Sequence, residues 1–263
     1  MPAETVLPDS DLVDTGSVER PSSPMPARAK TPLISIIVPV YNEFYHIERV
    51  VQRILDAPMP ENTAREIILI DDGSTDGTAD VLRLFKDHPE VRLYRAVINS
   101  GKGRAVRAGL KFAKGDVVVF QDGDQEYDPS ELCLLVQPIL EGKAMVVYGS
   151  RFRGRARGMR FPYWLVNKLL VGAVGFLYGK WITDEATAYK AFQGDLIRGL
   201  PLECKRFEFC PEVTAKVLRK KLTIHEVPIS YKARTVDEGK KIRFLDAVEA
   251  FWTLMRYRFW KPR

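Results

Sequence analysis

Asp122, Asp124 and Glu126 stand within one five-residue stretch, directly after the apolar run Val117-Val118-Val119-Phe120. Clustered carboxylates repel one another and lose hydration when packed, so such a triplet is unfavourable unless a cation or solvent matches it. A divalent cation carrying a diphosphate is a chemical match, because a hard ion takes one or two carboxylates and completes its shell with phosphate oxygens and water. In an extended segment Asp122 and Asp124 project to the same side, so one can hold the metal while the other reaches metal or ribose. A lone Asp-x-Asp reads as a solvated acidic turn. Here a second apolar run, Ile67-Ile68-Leu69-Ile70, also ends in acids, Asp71-Asp72-Gly73-Ser74. Two buried strands that each deliver carboxylates at their C-terminal ends describe the ligand-binding edge of an open α/β sheet.

The elements that must position these acids follow from apolar spacing. Leu33 to Val40 reads as a strand running into Pro39-Val40-Tyr41-Asn42-Glu43, and Ile47, Val50, Val51, Ile54 and Leu55 mark a helix closed by Pro58 and Pro60. Ser74 or Thr75 is the expected N-cap of a helix from Thr78 to about Phe85. Val91 to Ala96 is a short strand, Asn99-Ser100-Gly101-Lys102-Gly103 opens a helix to about Ala113, and Pro129 starts another to about Leu140 before strand Met145 to Gly149. The glycine-rich opening lacks Walker spacing and serves equally as phosphate cradle or plain helix start. Strands alternating with helices predict an α/β fold, a mostly parallel sheet with helices on both faces.

Past Arg151 the pattern changes to an Arg- and Gly-rich loop, an apolar helix from about Tyr163 to Tyr178, a helix near Pro211 to Arg219, a strand from Thr223 to Tyr231 and a helical tail from Phe244 to Trp260. The expected organisation is a disordered tail over residues 1–30, one domain over 31–243 with an acceptor- and membrane-facing segment at 151–183, and a basic, aromatic amphipathic helix over 244–263. The longest apolar stretch, Leu169 to Tyr178, is too short to span a bilayer, and lying in the interface or being buried are both open to it.

The 263 residues carry a net charge of +6, so a polyanionic partner is in play: nucleic acid, an acidic membrane surface or a phosphorylated substrate. Nucleic acid rests on net charge alone, since the run Arg151, Arg153, Arg155, Arg157, Arg160 has no interleaved aromatics to stack bases. Cys133, Cys204 and Cys210 have no metal-ligand spacing and read as reduced thiols of a cytosolic protein; with only three histidines, a zinc site is not expected. The N-terminus has no apolar signal-peptide core.

The Pro39–Glu43 opening, the loop Asp71-Asp72-Gly73-Ser74-Thr75-Asp76-Gly77-Thr78 and the triplet Asp122-Gly123-Asp124 together resemble glycosyltransferase family 2, of GT-A fold. Gly149-Ser150-Arg151-Phe152, Asp184 with Thr187, Tyr189 and Lys190, and the late Arg234 and Lys240 are similar to the polyprenyl-phosphate glycosyltransferases, which include dolichyl-phosphate mannose synthase; the resemblance covers about residues 33 to 245. It implies inverting transfer of a hexose from a nucleotide diphosphate sugar to a polyprenyl or dolichyl monophosphate on the cytoplasmic face of a membrane, with GDP-mannose favoured over UDP-glucose and Mg²⁺ or Mn²⁺ as cofactor. By position, Pro39, Tyr41, Glu43, Ile70 and Asp72 would hold base and ribose. Asp122 and Asp124, flanking Gly123, would bind metal and diphosphate. Glu126 would be a third ligand at a position often Gln in relatives, and Arg151, Arg234 and Lys240 would contact phosphates or close over the donor. Many relatives carry transmembrane helices; this chain is expected to be peripheral, with a membrane partner subunit as an open question.

A lipid phosphate is already an anion at neutral pH, so the site needs no strong base. Arg155, Arg157, Arg160 and Lys168, clustered ahead of the apolar helix, are the candidates for receiving that phosphate. The competing enzyme reading is a family 2 transferase acting on a saccharide or protein hydroxyl, with Asp184 or Glu185 as base. The competing non-enzyme reading is a nucleotide-sugar-binding scaffold, for which an intact acid triplet has no use.

Overall fold

The computed structural model describes residues 31–234 and 244–262. The expected tail over residues 1–30 and Lys240 lie outside the described residues. Within them, seven strands pair into one sheet: β1 (Leu33–Val40), β2 (Ala64–Asp71), β3 (Val91–Arg95), β4 (Val117–Phe120), β5 (Val146–Arg157), β6 (Lys190–Gln193) and β7 (His225–Lys232), in the order β3-β2-β1-β4-β6-β5-β7. All pairings are parallel except those of β6, which runs antiparallel to both β4 and β5.

Period-two alternation builds a core on each face. Ile34, Ile36 and Val38 of β1, Ile67 and Leu69 of β2 and Val117 and Val119 of β4 enter one cluster, which is covered by α1 (Ile47–Asp56), α2 (Thr78–Arg83) and α4 (Leu132–Leu140). Ile37, Ile68, Ile70, Val118 and Phe120 enter the other, under α3 (Lys102–Phe112), α6 (Gly194–Arg198) and α7 (Phe209–Arg219). Strands covered on both faces read as continuous apolar runs, and that is why the sequence shows them as such. A third, smaller cluster lies off the sheet, where α5 (Phe161–Tyr178), α7 and α8 (Phe244–Tyr257) meet through Leu170, Ala173, Val174, Ala215, Leu218, Leu254 and Tyr257.

The structure corrects the sequence reading at four places. The Arg- and Gly-rich segment is strand, not loop. β5 runs on to Arg157 because β7 pairs with it as far as Arg157↔Lys232, across an irregularity between Ser150 and Arg155. Residues after Asp184 supply β6, a four-residue strand whose apolar content, Ala191 and Phe192, is too short to signal itself. Neither Ser74 nor Thr75 caps α2; Asp76 Oδ1 accepts from the Thr78 amide at 3.0 Å, while the Ser74 hydroxyl accepts from the Asn42 amide at 2.9 Å. α5 starts two residues early and reaches 18 residues, long and apolar enough to cross a membrane by length and composition. One of its faces is nevertheless committed to protein, through Leu170, Ala173 and Val174.

Asn167, buried on α5, ties that helix to the loop ahead of β6. Its Oδ1 accepts from the amides of Glu185 (3.1 Å) and Ala186 (3.0 Å). Removing one acceptor strands two donors in a low-dielectric interior. Asn167→Ala is expected to cost about 3 kcal/mol, lowering the melting temperature by roughly 5–10 °C in thermal unfolding followed by circular dichroism; a shift under 2 °C would show that water replaces the side chain.

Candidate active site

The order β2-β1-β4 places a topological switch between β1 and β4, and in open α/β sheets ligands bind at the carboxyl ends of the strands there. A cleft of about 590 Å³ opens at this point, lined by Pro39, Tyr41, Glu43, Asp72, Asp122, Gly123, Asp124, Glu126 and Arg234. Three loops from separate parts of the sequence frame it, and they are laced together. Asn42, in the left-handed region at φ 49°, lets its side-chain oxygen accept from the Thr75 amide at 2.9 Å. Glu43 donates its amide to the Thr78 hydroxyl at 2.9 Å. Asp72 accepts from the amides of Ser100 (2.9 Å) and Gly101 (2.7 Å), which draws the glycine-rich loop onto the end of β2. Burial pushes the Asp72 carboxyl above its usual range even against these bonds.

The acids after β4 are each matched. Asp122 ion-pairs with Lys102 at 2.5 Å. Asp124 pairs with Arg234 at 2.7 Å, and the same guanidinium reaches Glu43 at 2.9 Å. Burial, and then the neighbouring Asp122 charge, push the Asp124 pKa up to about 7 even though Arg234 opposes them. Glu126 is turned to other work: one oxygen accepts from the Tyr231 hydroxyl at 2.9 Å and the other from the Arg234 amide at 2.7 Å, which anchors the end of β7. Among the described residues no three carboxylate, Cys or His side chains converge into a ready-made cage. Two adjacent carboxylates, each balanced by a cationic side chain in a cleft sized for a ligand, fit a hard divalent cation that completes its shell with diphosphate oxygens.

Arg151 is not in this cleft. Its guanidinium grips Asp184 with two bonds of 2.7 Å, and its amide donates to the same carboxylate at 3.0 Å. The guanidinium also lies 5.0 Å from the centre of the Tyr231 ring. It lines a second cavity of about 270 Å³, walled largely by apolar side chains including Tyr163, Val166 and Leu170 of α5, Phe207, Phe209 and Ala250 of α8. The two cavities share Lys102, Asp122, Glu126 and Phe207. Among the expected donor residues, Ile70 packs in the core under α3 instead of lining the cleft. Arg155, Arg157, Arg160 and Lys168 line neither cavity: all four are exposed, and the Lys168 ammonium sits 4.5 Å from the centre of the Phe152 ring. Arg206 and Phe207 reach the cleft from a loop with no sequence signal. Lys102 had one, the glycine pair around it, which drew attention to backbone amides rather than to the side chain.

A seven-stranded, mostly parallel sheet with one reversed strand and a ligand cleft at its switch point is a GT-A fold. Crystal structures of Mycobacterium tuberculosis glucosyl-3-phosphoglycerate synthase, one of them in complex with Mn²⁺, UDP and glucosyl-3-phosphoglycerate, share that fold with a TM-score of 0.65 over 88% of this chain and 81% of that one, at 22% identity. A sequence profile described as glycosyl transferase family 2 matches residues 35–192. The chain belongs to glycosyl transferase family 2. Similar proteins include the undecaprenyl-phosphate mannosyltransferase of Micrococcus luteus, 31% identical over 78% of this chain and 85% of that protein. The undecaprenyl-phosphate 4-deoxy-4-formamido-L-arabinose transferase of Edwardsiella ictaluri is 28% identical over 79% of this chain. The dolichol-phosphate mannosyltransferase of Pyrococcus furiosus is also 28% identical over 79%. The match spans 62% of the Edwardsiella protein and 58% of the Pyrococcus protein.

If Glu126 is a strut and not a metal ligand, Glu126→Leu removes the acceptors facing the Tyr231 hydroxyl and the Arg234 amide while leaving Asp122 and Asp124 in place. Mn²⁺ affinity, read by electron paramagnetic resonance titration, is expected to stay within threefold of the parent. Stability falls by about 1–2 kcal/mol. A tenfold loss of Mn²⁺ affinity with no loss of stability would make Glu126 a ligand.

Proposed function

We propose that the protein transfers a hexose, mannose favoured, from a nucleotide diphosphate sugar to a polyprenyl monophosphate, with inversion at the anomeric carbon. The observation that carries this reading is the pair of adjoining cavities: a polar cleft at the sheet edge for a charged donor, and an apolar cavity beside it for a lipid, meeting at Asp122 and Lys102. The names of several relatives, which are transferases to undecaprenyl or dolichol phosphate, support the acceptor class. Two of those names support mannose. Others, for N-acetylglucosamine at 29% identity and galacturonate at 27%, make the sugar the first thing to measure.

In this reading Pro39, Tyr41, Glu43 and Asp72 frame the base and ribose, and Asp122 and Asp124 would hold Mg²⁺ or Mn²⁺ against the diphosphate. A bound divalent ion would supply Lewis-acid neutralisation of the leaving diphosphate. Arg234 stands where it can close on the same phosphates. A phosphate oxygen of the acceptor forms the new bond to the anomeric carbon as the bond from that carbon to the diphosphate oxygen breaks, and attack from the opposite face inverts the centre. The attacking oxygen gives up its charge as it becomes the bridging ester oxygen, and the departing diphosphate oxygen takes that charge with the electrons of the broken bond, so no proton moves and no base is required. The apolar second cavity keeps water, the competing nucleophile, away from the reacting carbon.

Membrane attachment follows from the faces that α5 and α8 do not bury. Phe161, Leu169 and Phe176 of α5 and Leu245, Trp252 and Val248 of α8 are exposed, up to 89% for Phe176. Arg155, Arg157, Arg160 and Lys168 lie on or beside this region and would meet anionic headgroups. A peripheral position on the cytoplasmic leaflet fits this arrangement.

The direct test is label transfer from radioactive GDP-mannose, and separately UDP-glucose, to a short polyprenyl phosphate in detergent with Mg²⁺ or Mn²⁺. Lipid-soluble product is expected, reduced at least about a hundredfold in Asp124→Ala; saccharide or protein acceptors labelled in preference to the lipid phosphate would overturn the reading. Separately, the double variant Leu169→Glu, Trp252→Glu is expected to fold as the parent does but to lose at least fivefold in co-sedimentation with vesicles containing anionic lipid. Unchanged co-sedimentation would remove α5 and α8 as the membrane face.

A further inference from the structure

We infer that Lys102 is the cation that receives the acceptor's phosphate, and that its bond to Asp122 is the position it leaves when the metal–diphosphate end of the donor takes up that carboxylate. The inference deepens the transfer reading above and rests on it. The cations around the two cavities differ in how firmly they are held. Arg151 is pinned by three bonds to buried Asp184. Arg234 is shared between Glu43 and Asp124. Arg206 lines only the donor cleft, with its side chain 61% exposed and 3.9 Å from Asp246. Lys102 lines both cavities and has one carboxylate partner among the described residues, and that partner is the first acid of the Asp-x-Asp.

The backbone beneath Lys102 is fixed, so a change of partner for its ammonium is a movement of the side chain alone. A Cβ at Gly101, where φ is 98°, would stand 2.4 Å from the Lys205 carbonyl oxygen, and one at Gly103 would stand 2.9 Å from that of Arg206. The start of α3 is therefore pressed against residues 204–206, and the Arg104 amide donates to the Lys205 carbonyl at 3.1 Å. From this base the flexible four-carbon stem carries a point charge that can swing between the cavities without moving the chain. The Lys102 side chain is three-quarters buried and ion-paired to Asp122 at 2.5 Å. An ammonium that loses its partner in such a site must find another anion. Of the two substrates, the lipid phosphate enters on the side that Lys102 also lines. The helix N-terminus at Lys102 adds a favourable field for that phosphate.

A consequence is coupling: donor and metal should raise the affinity for the acceptor, and by linkage the acceptor should raise theirs. The test uses the full chain with farnesyl phosphate as probe, titrated calorimetrically with and without Mn²⁺ and GDP or UDP, in the parent, Lys102→Met and Lys102→Arg. The parent is expected to bind farnesyl phosphate at least tenfold more tightly in the presence of Mn²⁺ and nucleotide. Lys102→Met is expected to lose that coupling to within twofold and, with no ammonium competing for Asp122, to bind Mn²⁺ alone about tenfold more tightly. Lys102→Arg, which keeps the charge, should retain measurable coupling, separating charge from packing. If the parent transfers sugar to lipid phosphate but Lys102→Met keeps full coupling or unchanged Mn²⁺ affinity, the Lys102 assignment falls alone. If the parent neither binds nor uses farnesyl phosphate, the transfer reading falls and takes the assignment with it.

Discussion

Five buried carboxylates, Glu43, Asp71, Asp72, Asp124 and Glu126, crowd the carboxyl edge of β1, β2 and β4, with Asp122 beside them. Charge of one sign in a low-dielectric site has to be matched group by group. Much of the surrounding architecture can be traced to how that is done. Asp72 pulls in the amides of the loop before α3. Asp124 and Glu43 hold Arg234, and Glu126 fastens the end of β7 through Tyr231 and the Arg234 amide. Segments distant in sequence converge because each brings donors or a cation to this edge. Burial, and then the Asp122 charge, raise the Asp124 carboxyl even with Arg234 beside it.

The second organising feature is the reversed strand. β6 enters antiparallel between β4 and β5, and the loop that precedes it carries Asp184, which is fully buried and locked to Arg151. A paired buried charge is costly to break, so this bridge holds the wall of the apolar cavity in place. The same loop is tied to α5 by Asn167, and α5 packs against α8 through the third cluster. The apolar cavity is thereby built from rigid parts on the sheet side and from helices with exposed apolar faces on the other. This puts a largely apolar cavity next to a charged cleft, the two sharing Lys102, Asp122, Glu126 and Phe207.

Much of this was legible in the residues. Apolar runs of four to eight residues separated by helical spacing announced the sheet, because strands covered on both faces carry no polar alternation to confuse them. The acids at the ends of β2 and β4 pointed to the carboxyl edge of the sheet, where the cleft opens. Glu126 shows what spacing does not carry: it lines the cleft, and its oxygens also accept from the Tyr231 hydroxyl and the Arg234 amide, over 100 residues on. The basic run before α5 is a second case. From Arg153 to Arg157 every residue of β5 is exposed, and β5 became a strand there only because β7 was available to pair with it.

The sequence by itself determined the class of fold, the strands that end in acids and the chemistry those acids suit, because these depend on local periodicity and on residue type. Only the tertiary structure decided which cation, amide or hydroxyl each acid meets, that Arg151 is spent on Asp184, and that Lys102 stands between two cavities. Those outcomes depend on which cation, amide or hydroxyl is brought within hydrogen-bond reach by chain folding. No spacing along the sequence encodes a distance between residues 102 and 122, or 126 and 231, until the sheet has closed between them.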